Sequence, residues 1–104
     1  MKKHKEYVER SDLKDATHLE VSVYYTKGGA NYFSGGTIRR GYYINVTPVT
    51  KSENSVSFVM FTGRSQLLFE TSRYSDKQFA KAVEMSKDVR AELIAAVLSE
   101  SKAA

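Results

Sequence analysis

From His18 to Thr26 the chain alternates. Leu19, Val21, Val23 and Tyr25 fall on one parity, with Glu20, Ser22, Tyr24 and Thr26 on the other. Period-two patterning rich in β-branched and aromatic residues predicts a half-buried strand. The alternation returns from Gly41 to Val49, where Tyr42, Ile44 and Val46 oppose Tyr43, Asn45 and Thr47. Pro48 is expected to end that strand, because proline cannot donate to a ladder. Val56 to Thr62 is apolar on both parities, with Val56, Phe58 and Met60 against Val59 and Phe61, as in a central or doubly covered strand. Gly63-Arg64 fits a short hairpin turn into a fourth strand, Gln66 to Arg73. That strand places Leu67, Phe69 and Thr71 on one side and Leu68, Glu70 and Ser72 on the other.

At Ser75 the period changes. Ser75-Asp76-Lys77-Gln78 has the S-x-x-Q form of a capping box, and strong helix formers without glycine or proline follow to about Glu100. Phe79, Val83, Val89 or Arg90, Leu93 and Val97 trace one helical face, with Ala82, Ser86 and Ala96 beside them, and Ser86-Lys87-Asp88 is a candidate break. The expected fold is therefore α+β: a four-stranded antiparallel meander followed by a C-terminal helix (β-β-β-β-α). The helix should cover the face carrying Leu19, Val21, Val23, Tyr42, Ile44, Val46, Phe58 and Phe69. Residues 1–17 hold only Tyr7, Val8 and Leu13 as sizeable apolar groups. They are expected to be a polar, partly disordered lead-in with one helical turn near Ser11 to Asp15, leaving 18–104 as a single domain.

Between the first two strands, Lys27 to Arg40 is too long for a tight hairpin. Paired glycines at Gly28-Gly29 and Gly35-Gly36 permit positive φ at two places, so the segment should double back as a structured excursion with Asn31, Tyr32 and Phe33 at its tip.

Composition narrows the function classes. The chain has 104 residues, enough for one domain with its own core, and no cysteine, which excludes disulfides, thiolate metal sites and cysteine nucleophiles. No secretory h-region follows the basic N-terminus and no apolar run approaches a membrane span, so the expected chain is soluble and cytoplasmic. The net charge is +4, and the surplus lies mainly in residues 18–74, with six Lys/Arg against three Asp/Glu. A basic surplus favours an anionic partner.

Two mismatches point to surfaces. A helix of about 25 residues spans about 37 Å, whereas strands of about eight residues span roughly 27 Å. The turns bearing Leu93, Ile94, Val97 and Leu98 would then project, and a homodimer through the C-terminal helix would cover them. The sheet face away from the helix should also show Tyr24, Tyr43, Val59, Phe61 and Leu68 among polar residues. Exposed aromatics on a sheet stack nucleobases while cations at the rim hold phosphates. The candidate nucleic-acid-binding residues are Tyr24, Lys27, Tyr32, Arg39, Arg40, Tyr43, Phe61 and Arg64, with Arg73 beside them. The alternative is a protein-interaction or structural homo-oligomeric module with that face buried.

Other chemistry finds little support. His4 and His18 have no metal-pair spacing, neither lies near a glycine-framed serine, and no phosphate-loop pattern occurs. No cofactor, metal or catalytic residue is expected, and the protein is expected not to be an enzyme. Arg40-Gly41-Tyr42 begins like the strand signature of RNA-recognition domains. Tyr43 stands where glycine or alanine belongs, and no helix is predicted between the first two strands, so that fold is excluded.

The runs Val23-Tyr24-Tyr25-Thr26-Lys27-Gly28-Gly29, Asn31-Tyr32-Phe33-Ser34-Gly35-Gly36, Arg40-Gly41-Tyr42-Tyr43 and Val46-Thr47-Pro48-Val49 cover about a quarter of the chain. They resemble a family of small uncharacterised proteins of bacterial conjugative and other mobile elements, a resemblance that implies no activity and no functional residue. The element order is similar to that of single-stranded DNA binders of the transcriptional-coactivator and whirly type, an analogy of order alone.

Overall fold

The computed structural model describes residues 1–30, 35–59 and 63–103. Its elements are β1 (His4–Glu9), β2 (His18–Thr26), β3 (Gly29–Ala30), β4 (Thr37–Ile38), β5 (Gly41–Lys51), β6 (Val56–Phe58), β7 (Arg64–Glu70) and α1 (Asp76–Ala103). An antiparallel sheet is followed by one C-terminal helix, so the fold is α+β.

The sheet has four rows. β1 pairs β2, β2 pairs β5, and β6 and β7 both pair β5, all antiparallel. The fourth row is one edge in two pieces: β7 lies along Gly41–Val46 and β6 along Val49–Lys51. The hairpin expected at Gly63-Arg64 is thus absent, since β6 and β7 run in the same direction. Nor is Val56–Phe58 a covered central strand. β6 has three residues, all exposed, while Met60, Phe61 and Thr62 lie outside the described residues.

Pro48 does not end β5. It pairs Leu19 within the strand, and its carbonyl accepts from Val59 N at 3.3 Å. A strand residue points its N–H and C=O to the same side, so the missing donor faces the fourth row at Val59, just past the end of β6. The ladder to β2 loses nothing.

The N-terminal segment is the second correction. Residues 4–9 form β1, an edge strand, with Val8 packed against the core. Arg10 N donates to Thr17 O at 3.0 Å to close the hairpin into β2, with Asp15 at φ 59° in the loop where a helical turn was expected. The Lys27–Arg40 excursion does double back, with Gly29–Ala30 pairing Thr37–Ile38 and positive φ at Gly28 and Gly35. Its expected tip lies outside the described residues.

One sheet face packs on α1. Leu19, Val21, Val23 and Tyr25 from β2 and Tyr42, Ile44 and Val46 from β5 join Phe79, Ala82, Leu93 and Val97 from α1 in a single buried cluster. Five rings close one end of it: Tyr42 lies 5.2 Å from Tyr25, 5.0 Å from Phe69 and 6.0 Å from Tyr74, and Tyr74 lies 6.3 Å from Phe79. A register shift between Tyr42 and Tyr43 pairs Tyr42 with Phe69 but Tyr43 with Leu67. The extra residue, Leu68, packs on the core, so its expected place on the opposite face is not kept. Phe58, expected in the core, is 65% exposed.

The helix begins as its sequence directs. Ser75 Oγ accepts from Gln78 N at 3.1 Å, and Asp76 sits in the first turn, where a negative charge suits the helix dipole. The reciprocal half of the box is replaced: Ser75 N donates to the Tyr42 hydroxyl at 3.0 Å, and Gln78 Nε2 donates to Thr71 Oγ1 at 3.3 Å. The helix runs unbroken for 28 residues through Ser86-Lys87-Asp88. Ser86 is buried, and its hydroxyl donates to Val83 O at 2.6 Å. Leu93 and Val97 are buried in the chain's own core, with Ile94 and Leu98 against it. The turns bearing Leu93, Ile94, Val97 and Leu98, expected to project, pack on the sheet instead. Arg90 fastens α1 to β1 through Glu6, at 2.6 Å, and Arg64 pairs with Glu100 near the helix end. Among the described residues no helix is long and apolar enough to cross a membrane.

Candidate nucleic-acid interface

The other sheet face is assembled by register. Tyr24 pairs Tyr43, Ser22 pairs Asn45 and Glu20 pairs Thr47 across β2 and β5, while Lys5 and Tyr7 of β1 pair Ser22 and Glu20. Strand parity sends all of these away from α1. The tyrosines therefore divide as their alternation requires, with Tyr25 and Tyr42 in the core and Tyr24 and Tyr43 on the opposite face.

Tyr24 and Tyr43 stack, with ring centroids 6.0 Å apart and planes 17° from parallel. Both are half-buried. The Tyr43 hydroxyl donates to the Arg39 carbonyl at 2.8 Å, which ties the ring pair to the excursion. Burial, and then the neighbouring Tyr43, push the Tyr24 hydroxyl pKa above its ordinary value, so it is a neutral donor at physiological pH.

Beside this pair the base of the excursion meets the end of β7 in an open cleft of about 570 Å³. Lys27, Arg39 and Arg40 line it, with Glu70, Thr71 and Ser72 opposite. Arg40 is held by backbone: its Nε donates to Lys27 O at 2.9 Å and its Nη1 to Ser72 O at 3.5 Å. Arg39 is 73% exposed at its side chain and pairs with Glu70 at 3.2 Å. Gly28 makes the close approach possible, since a Cβ there would collide with the Ile38 carbonyl oxygen and crowd Arg40 N, and its φ of +76° suits glycine.

Further along the face, Glu20 is only 4% exposed, and its Oε2 accepts the Tyr7 hydroxyl at 3.0 Å. That bond, more than burial, holds the Tyr7 hydroxyl above its ordinary pKa. Lys51 Nζ lies 5.4 Å from the Tyr7 ring centroid. Phe58, Lys3 and Lys5 complete a groove with Glu20, Ser22, Tyr24 and Asn45.

Of the residues singled out from sequence, Tyr24 and Tyr43 sit together on this face, and Lys27, Arg39 and Arg40 gather in the adjoining cleft. Arg64 does not join them. It pairs with Val46, whose parity faces α1, and its guanidinium is engaged by Glu100. Arg73 is exposed in the turn before α1. Tyr32 and Phe61 lie outside the described residues. Lys3, Lys5, Tyr7, Glu20 and Phe58 were missed. The signal that could have found the first three is the parity of Lys5, Tyr7 and Glu9 against His4, Glu6 and Val8, diluted because an edge strand tolerates charge on both sides.

Among the described residues no group of three or more His, Asp or Glu could hold a metal ion. No family model, curated protein or solved structure matches this chain.

Proposed function

We propose that this is a small non-enzymatic binding protein that contacts single-stranded nucleic acid on the sheet face opposite α1. The observation that carries the reading is the Tyr24–Tyr43 pair, anchored through Tyr43 to Arg39 and bordered by Lys27, Arg39 and Arg40. Aromatic rings supply a sequence-tolerant stacking surface, and cations beside them follow the phosphate chain. The two lysines of β1 and its approach, Lys5 and Lys3, extend the positive border to the far side of the same face.

The test is a titration with a labelled single-stranded oligonucleotide at two salt concentrations. Affinity should fall steeply with salt, and Arg39→Ala with Arg40→Ala should flatten the slope by about 0.7 for each phosphate no longer neutralised. Absence of binding at low salt would refute the reading.

A second reading is a homo-oligomer that buries this face against another copy. Phe58 favours it, because a phenyl ring 65% exposed on an edge strand is apolar surface that a partner would cover. Light scattering after size exclusion separates the two: a monomer mass at high concentration removes the homo-oligomer.

A further inference from the structure

We propose that the groove over Glu20, Ser22 and Asn45 is a base pocket that selects nucleobases bearing an exocyclic amino group, with cytosine preferred over thymine. The inference rests on the reading of this face as a nucleic-acid interface and adds to it a base preference.

Glu20, Ser22 and Tyr24 follow one another along the outer side of β2, with Asn45 beside Ser22 on β5 and Lys5 beside it on β1. The groove they form with Lys3 and Phe58 measures about 250 Å³. Drug-sized ligand sites run from about 300 to 1,000 Å³, so this one suits a single ring system. Tyr24 and Phe58 supply the aromatic surfaces against which a planar base would lie.

On β2 and β5 the groove also offers acceptors. Glu20 is buried, yet among the described residues only the Tyr7 hydroxyl donates to its carboxylate, at Oε2. Oε1 has no donor among them. A buried carboxylate with open acceptor capacity is costly unless something completes it. Asn45 donates from Nδ2 to Thr47 Oγ1 at 2.6 Å, which leaves its carbonyl oxygen to accept and one N–H to donate. Ser22, 7% exposed, adds a hydroxyl. A ligand that completes Glu20 must bring an N–H donor, while the Lys3 and Lys5 ammonium groups and the Tyr24 hydroxyl are left to donate to its acceptors.

Charge narrows the class further. A cationic ligand would satisfy Glu20 but meet Lys3 and Lys5. A simple anion would satisfy the lysines but meet Glu20. A nucleotide carries both features, a donor edge for the carboxylate and a phosphate for the lysines. Cytosine presents its N4 amino group where thymine presents the O4 acceptor, and carboxylates are the side chains that accept from that amino group. Thymine offers the carboxylate a single N–H, at N3, flanked by two carbonyl oxygens that repel it, where cytosine offers an amino group with two N–H donors at the corner of its edge.

Labelled oligo(dC) and oligo(dT) of equal length, at one salt concentration in mildly alkaline buffer, carry the same charge, so the electrostatic part of binding cancels between them. Oligo(dC) is expected to bind more tightly by about five-fold or more. Glu20→Gln keeps an acceptor for Tyr7 but removes the charge, and should bring the ratio toward one while leaving the salt slope unchanged. Equal affinities for the unaltered protein overturn the base preference and leave the interface standing. A preference that survives E20Q undiminished also overturns it. Failure of both oligonucleotides to bind sinks the interface and the pocket together.

Discussion

Tyr42 joins the sheet to the start of α1 with a single oxygen. Its hydroxyl donates to Ser75 O at 3.1 Å and accepts from Ser75 N at 3.0 Å, with no exposed surface on the residue. Tyr42→Phe keeps the ring in the aromatic cluster but removes the partner of the Ser75 N–H at the start of α1. The expected cost is about 0.5–1.5 kcal/mol, read as a lower urea midpoint with an unchanged slope. At this scale the sequence was most legible. Alternation alone separated Tyr25 and Tyr42 from Tyr24 and Tyr43, because side-chain direction in a strand follows parity. It failed at Leu68, where one extra residue in β7 resets the parity that a fixed count assumes. It failed at Arg64 too: placing a basic residue in a strand says nothing about which face it takes until the register is known.

Among the elements, β1 was the one the pattern hid. Its charges are those of an edge strand, and they also work for the fold. The His4 ring and then the Arg90 guanidinium, both hydrogen-bonded to Glu6, hold its carboxyl below the ordinary value of 4.5. A carboxyl lowered in the folded state stabilises it above the unfolded value, and that contribution is lost as pH falls through the folded value. Glu6→Gln should therefore reduce stability at neutral pH, by under about 1 kcal/mol since the pair is part-exposed. The difference from the parent should shrink as pH drops below the ordinary value, as thermal melts across an acid series would record. A difference that grew toward acid pH would rule out this account. The continuity of α1 was half legible: its composition contains no breaker, and the pause read into Ser86-Lys87-Asp88 dissolves once Ser86 turns its hydroxyl to Val83 O.

At the scale of the whole molecule, the sheet divides two kinds of chemistry, an apolar seam under α1 and a polar, aromatic face opposite. Sequence counting placed the basic surplus in residues 18–74, yet the face also draws on Lys3 and Lys5 from the segment counted as lead-in. These two lie apart from the Lys27–Arg39–Arg40 cleft, so their effects should add. Replacing Lys3 and Lys5 by alanine in the R39A/R40A background should flatten the salt slope further, again by about 0.7 per phosphate. If the slope does not move, the β1 border touches no phosphate. The location of a charge in the chain was legible; its company in space required the β1–β2 register.

The divided fourth row has a consequence for how copies of this chain meet at high concentration. Sheets recruit one another through long, flat, unpaired borders, the route to fibres. Here one border is broken into pieces of three and seven residues, and the other is six residues carrying His4, Lys5, Glu6 and Glu9. Among the described residues, neither offers an uninterrupted template for a foreign strand, and a border divided in this way is poorly suited to runaway polymerisation through the sheet.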